Sequence, residues 1–88
     1  MLRALSHPDR RRFIRACLRE PRSAGDLAAL SALAPASVSE HLKVLRKTSL
    51  LVLEVRGRFW LYRSNAALLR DVIGQLEALL EQGGRTPA

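Results

Sequence analysis

Eighty-eight residues with ordinary apolar content (48%), few aromatics (5%) and a net charge of +7 describe one small, basic globular domain. A chain this short buries a modest share of its surface and is marginal alone, so oligomerisation is an expected remedy. No apolar run reaches membrane-spanning length, the start Met1-Leu2-Arg3-Ala4-Leu5 has no apolar core fit for a secretory signal, and one cysteine excludes an internal disulfide; a reduced, cytoplasmic setting fits.

The positive charge is unevenly placed. Residues 1–63 hold 13 Lys/Arg against 5 Asp/Glu, whereas residues 64–88 hold 2 against 3. Such asymmetry points to a polyanionic partner, nucleic acid foremost. The competing reading is a codon bias toward arginine with no ligand at all.

In chain order, His7-Pro8-Asp9 predicts a helix start, with proline in the first turn and an acid at the positive end of the dipole. Phe13, Ile14, Cys17 and Leu18 form its apolar face, Arg10, Arg11, Arg12, Arg15 and Arg19 lie mostly off that face, and Pro21 ends it. Ser23 and Asp26 resemble a capping box for a second helix, with Leu27 and Leu30 inward. After a break from Ser31 to Ala34, Pro35 suits the first position of a third helix. There Val38, Leu42 and Leu45 recur at i, i+4, i+7 and face the core, while Ala36, Ser39, Glu40, Lys43 and Lys47 fall on the far side. Two short helices across a tight turn, the second with a small, polar outer face, make a helix-turn-helix.

Leu50 to Val55 is rich in β-formers, Arg56-Gly57 supplies a turn, and Arg58 to Arg63 contains Phe59, Trp60 and Tyr62. The pattern predicts a β-hairpin with a basic tip; the Leu50–Leu53 run is also compatible with a helix, but the glycine and the aromatics favour strand. Trp60 and Tyr62, at i and i+2, share a face and are expected to pack the hairpin on the core. Asn65 caps a last helix from Ala66 to about Gln82, with a wide stripe of Leu69, Val72, Ile73, Leu76, Leu79 and Leu80. That stripe exceeds what a small core uses, so part of it should meet another subunit. Gly74 lies opposite the stripe and has no evident role. Residues 83–88 are expected to be a flexible tail after the 1–82 domain. The fold class is therefore mainly α with a small β-hairpin, ordered α-α-α-β-β-α.

Four segments carry a resemblance: Leu5-Ser6-His7-Pro8-Asp9-Arg10-Arg11, Ser23-Ala24-Gly25-Asp26-Leu27-Ala28, Ser37-Val38-Ser39-Glu40-His41-Leu42-Lys43-Val44-Leu45-Arg46, and Arg56-Gly57-Arg58-Phe59-Trp60-Leu61-Tyr62-Arg63-Ser64-Asn65. Almost end to end, the chain resembles the winged helix-turn-helix repressors of the ArsR/SmtB family. It departs from the family pattern in a shortened front helix, in Pro35 and Ala36 where polar residues often touch bases, and in Ser49 where glycine usually precedes the first strand. The resemblance implies a homodimer joined through its terminal helices, with Leu2, Leu5, Leu69, Val72, Ile73, Leu76, Leu79 and Leu80 at the interface. It also implies double-stranded DNA, an imperfect inverted repeat, as the partner.

DNA contacts are assigned to Ala36, Ser37, Ser39, Glu40, His41, Lys43, Arg46 and Lys47 on the third helix, and to Arg56 and Arg58 on the wing. The serines suit phosphates or base edges, the cations suit phosphates, and wing arginines suit a phosphate or a narrow minor groove. Glu40 either accepts from cytosine N4 or, the favoured role, pairs with Lys43 or Lys47 and orients them. His41 flanks the buried stripe as a packing residue within reach of a phosphate.

Family members that sense metal use Cys pairs or Asp/His/Glu sets; residues 22–27 hold no Cys or His, and the last helix has Asp71, Glu77 and Glu81 but no His. Neither a metal nor another cofactor is expected. Cys17, on an apolar face, reads as a small buried hydrophobe. The pattern resembles small autorepressors whose release comes from a partner protein, an anti-repressor, or from changing concentration. No Ser/His/Asp set, paired carboxylates or phosphate-binding glycine loop suggests an enzyme. The alternative is a winged-helix interaction module whose arginine-rich faces bind an acidic protein.

Overall fold

Prolines and side-chain caps set the helix boundaries. In the computed structural model, which describes Leu2–Arg85, a single-turn helix α1 (Leu2–Leu5) precedes α2 (Pro8–Arg19). Pro8 opens α2 where a missing N–H is harmless, and His7 Nδ1 accepts from the Asp9 amide at 3.2 Å. In α3 (Ala24–Ala29) the capping box is complete: Ser23 Oγ accepts from the Asp26 amide at 3.1 Å, and the Asp26 carboxylate accepts from the Ser23 amide at 3.2 Å. Pro35 opens α4 (Pro35–Lys47).

The core is one cluster. Phe13, Ile14, Ala16 and Cys17 of α2 meet Leu27 of α3, Val38, Leu42 and Leu45 of α4, and Leu50 and Leu51 at the foot of the hairpin. Each large aliphatic buried this way contributes about 1.5–3 kcal/mol. Two expected core residues do not join it: Leu18 is exposed, and so is Leu30. Leu18 stands at the margin of the α2 face, displaced from the arc centred near Phe13 and Cys17, and Ala16 takes the opposite flank instead. Leu30 sits at the C-cap of α3, past the last residue that the core covers.

Strands β1 (Leu51–Arg56) and β2 (Phe59–Ser64) pair antiparallel, from Leu51 opposite Ser64 to Arg56 opposite Phe59. The turn is Gly57-Arg58, one residue later than the expected Arg56-Gly57. Of these two turn residues Gly57 alone has positive φ (60°), as a type II′ hairpin requires at its first central position. Arg22 adds a third, single-residue rung: its amide donates to the Tyr62 carbonyl (2.9 Å) and its carbonyl accepts from the Tyr62 amide (2.7 Å). The buried Ser64 hydroxyl donates to the Ile14 carbonyl at 2.7 Å, pinning the hairpin to α2. Tyr62 packs on the core, but Trp60 does not; it is 64% exposed, because the core ends at the Leu53–Tyr62 pair and the hairpin overhangs beyond it.

Asn65 Oδ1 caps α5 (Ala66–Arg85) by accepting from the Leu68 amide at 3.1 Å. Leu68 and Leu69 reach the core, and the remainder of α5 runs past it. The helix continues beyond Gln82, through Gly83 and Gly84, into the segment expected to be a tail. Each glycine costs about 1 kcal/mol, yet extending a helix already nucleated is far easier than starting one. Residues 86–88 of that tail lie outside the described residues. No helix among the described residues is long and apolar enough to cross a membrane.

Ser49 follows α4 in the left-handed region (φ 65°), its amide donating to the Arg46 carbonyl at 3.0 Å. This explains why the departure from glycine matters locally: a side chain there is strained. Ser49→Gly is expected to stabilise the fold by about 0.5–1 kcal/mol, the relief being partly offset by the freer unfolded chain. A raised urea midpoint at unchanged slope is the expected readout; an unchanged or lowered midpoint contradicts the strain.

Candidate nucleic-acid interface

Burying Val38, Leu42 and Leu45 turns the opposite side of α4 to solvent. Ala36, Ser37, Ser39, Glu40, Lys43, Arg46 and Lys47 are all exposed there, so these sequence-assigned residues share one accessible face. One flank of α4 borders an open cleft of about 470 Å³ lined by Ser39, Lys43, Arg46, Lys47, Ala24 and Tyr62. The other flank borders a second, of about 350 Å³, where Arg10 joins Ala36, Ser37, Glu40, His41 and Val44. The α4 ridge is thus small and polar toward its start and cationic toward its end, with concavities on both sides.

Of the two roles weighed for Glu40, the geometry realises pairing, with Lys43 rather than Lys47: Lys43 Nζ lies 3.5 Å from Glu40 Oε1, one turn apart and exposed. Such a pair contributes about 0.3–0.5 kcal/mol, too little to hold Lys43 against a phosphate.

His41 is half-buried, tied to α2 as a packing residue. Arg10 Nε donates to His41 Nδ1 at 3.0 Å, and the His7 and His41 rings approach to 4.3 Å between centroids. Arg10, 31 positions away in sequence, thus ties α2 to the flank of α4, a contact no local pattern announces. Burial, reinforced by the neighbouring His7 and Arg10 and opposed by Asp9, holds the His41 imidazole below its ordinary value.

On the wing, Arg56 is engaged within the hairpin. Its guanidinium lies 3.0 Å from Glu54 Oε2, and Arg63 approaches the same oxygen at 3.5 Å. Arg58 is exposed at the turn, and no ion pair among the described residues involves it. Of the two wing arginines, Arg58 is the one left uncommitted.

Cys17 is buried, and burial pushes its thiol up to about 11, with the nearby Arg22 charge pulling the other way. It is a protonated, apolar packing group at neutral pH, not a reactive thiolate. Among the described residues no three His, Cys, Asp or Glu side chains come together as a metal site.

The residues assigned to subunit contact divide in two. Leu5 and Leu69 pack against the chain's own core, with Val72 half-buried. Leu2, Ile73, Leu76, Leu79 and Leu80 are exposed, Leu80 to 77%. Leu2, Val72, Leu76 and Leu79 also line an open apolar groove of about 420 Å³ between the front of the chain and α5.

The neutral form of His41 is the one the fold favours, so the unfolded chain takes up the proton first as pH falls through about 6.5. Stability from this group is present above that pH and is lost as pH drops toward the depressed folded value. Between about pH 7.5 and about pH 5.5, the wild type should lose more stability than His41→Gln, which keeps an acceptor for Arg10 but does not titrate. Equal losses in urea titrations would contradict this assignment.

A family profile described as "Helix-turn-helix domain" matches residues 5–55, from α1 through β1. The transcriptional repressor SdpR of Bacillus subtilis (strain 168) is 26% identical over 83 residues, spanning 94% of this chain and 92% of that protein. An ArsR-like transcriptional regulator from Rhodococcus sp. RHA1 superposes with a TM-score of 0.89 at 26% identity, over 96% of this chain and 77% of its own. NolR from Sinorhizobium fredii shares the fold, with a TM-score of 0.71 at 24% identity over 89% of this chain and 78% of that one. SdpR and the Rhodococcus protein are both transcriptional regulators. The chain belongs to the helix-turn-helix domain family and is a transcriptional regulator of the ArsR type.

Proposed function

We propose that this regulator is a homodimeric repressor that binds double-stranded DNA at an imperfect inverted repeat. The observation that carries the reading is the α4 ridge: one side buried as Val38, Leu42 and Leu45, the other an exposed row of serines and cations between two clefts. A ridge of that kind fits a major groove, with Ser37 and Ser39 toward base edges or phosphates and Lys43, Arg46 and Lys47 on phosphates. Arg58 is the wing's phosphate or minor-groove contact, and Arg56 supports it from within the hairpin ion pairs. The repressor role follows the match to SdpR along nearly the whole of both chains.

Dimerisation is supported by the apolar side chains that α5 leaves uncovered, Ile73, Leu76, Leu79 and Leu80, together with Leu2. Exposed apolar surface concentrated on one helix is characteristic of an interface. Two-fold pairing through α5 would space two α4 ridges for successive major grooves. Release from DNA is assigned to a partner protein or to changing concentration, since the one thiol is buried and protonated and so unsuited to a soft metal. The second reading, a module for an acidic protein, has one observation in its favour: Arg12, Arg15, Arg19 and Arg22 line a shallow cavity of about 200 Å³ alongside α2.

The test is the salt dependence of duplex binding. Lys43→Ala and Arg58→Ala should each weaken binding to every duplex and lower the log–log salt slope by about two per dimer, one released counterion per protomer. Slopes identical to wild type would remove both residues from the phosphate contacts.

A further inference from the structure

Val55 and Trp60 form a cross-strand pair near the wing tip, and both are strongly exposed, at 59% and 64%. Register fixes which way they face. Paired residues of an antiparallel ladder share a side, so Leu51–Ser64, Leu53–Tyr62 and Val55–Trp60 lie along one face of the hairpin. The first pair is buried over the core. The second is half-buried, and its Tyr62 lines the cleft beside Ser39, Lys43, Arg46 and Lys47. The third continues that face outward; at about 3.3 Å per residue, Trp60 stands roughly 7 Å beyond Tyr62 along β2. Phe59 is as exposed (67%) but pairs with Arg56 on the opposite face, beside the Glu54 ion pairs.

We propose that the Val55–Trp60 pair is a duplex-contacting surface, in which the Trp60 indole packs against deoxyribose at the edge of the groove that the wing reaches. The inference rests on the DNA-binding reading above. A sugar-phosphate strand alternates an apolar ring with an anion. The wing presents the complement, an exposed indole two residues along the chain from the uncommitted Arg58 at the turn. The patch also extends the cationic cleft of α4, so a rod lying on that cleft meets Trp60 next. A second copy of this chain is the poorer occupant, because it would bring two Arg56–Arg58 tips of like charge together around the patch.

Trp60 is the single tryptophan, so its emission reports the contact directly. Labelled short duplexes covering the DNA upstream of the protein's own coding sequence are titrated at low and physiological salt. Anisotropy follows binding, and Trp60 emission with acrylamide quenching follows contact. The expected result is a changed, shielded Trp60 emission at saturation. Trp60→Ala should weaken binding about tenfold at an unchanged salt slope, since no phosphate charge is lost, and Phe59→Ala should leave affinity within about twofold. Duplex binding with Trp60 emission and quenching unaltered overturns the proposal while leaving the DNA reading intact. Equal losses in Trp60→Ala and Phe59→Ala overturn it too, as general damage to the hairpin. A protein-concentration-dependent change in Trp60 emission without DNA would assign the patch to a second copy. Absence of any duplex binding, even at low salt, overturns the DNA reading and this proposal with it.

Discussion

The α4 ridge and the wing are both positioned by one helix, α2. Its Phe13, Ile14 and Cys17 seat the Val38–Leu42–Leu45 stripe of α4, and the carbonyl of Ile14 receives the Ser64 hydroxyl at the base of the wing. Arg10, from the same helix, reaches His41 on the flank of α4. Helix α4 and the hairpin are therefore both referenced to a single element. Removing one large side chain of this core costs about 2–5 kcal/mol, comparable to the whole stability of a small domain, so the presenting geometry and the fold are lost together.

The distribution of ion pairs sorts the many cations by use. Arg56 and Arg63 converge on Glu54, Arg22 lies near Glu20, and Arg12 meets Asp9, so these guanidiniums are partly committed to the scaffold. Lys43 has only an exposed, weak partner in Glu40. Arg58 projects at the hairpin turn outside these pairs. Net charge speaks to a polyanion in general, whereas the pattern of ion pairs separates cations held by the scaffold from those left to solvent. Trp60 belongs to the same logic: an indole exposed near the turn that carries Arg58 is surface that folding alone does not use.

Much of this was legible in the sequence where the physics is local. The Ser23–Asp26 box and Asn65 mark helix starts because a cap is made within three residues, and Pro8 and Pro35 because a fixed φ and a missing N–H suit the first helical position. The α4 stripe was legible because its period matches one helical face. Leu18 and Leu30 were misread because residues at the margin of a face are buried only if a neighbouring element covers them. Trp60 was misread for a related reason: strand alternation tells which side a residue takes, not where along the strand the core ends. The turn slipped by one position because both Arg56-Gly57 and Gly57-Arg58 satisfy a glycine signal, and only the sign of φ separates them. The Arg10–His41 bond and the Arg22–Tyr62 rung join distant segments, and nothing in their spacing foretells them.

The central claim is that two copies join through the exposed leucines of α5 and so set a pair of α4 ridges against one duplex. Sedimentation of the protein with a duplex carrying its binding site measures this most directly. The account predicts two protomers per duplex, a dimer in the free protein at micromolar concentration, and loss of both in a Leu76→Glu, Leu79→Glu variant that remains folded. A folded single protomer that occupies the duplex with undiminished affinity would contradict it.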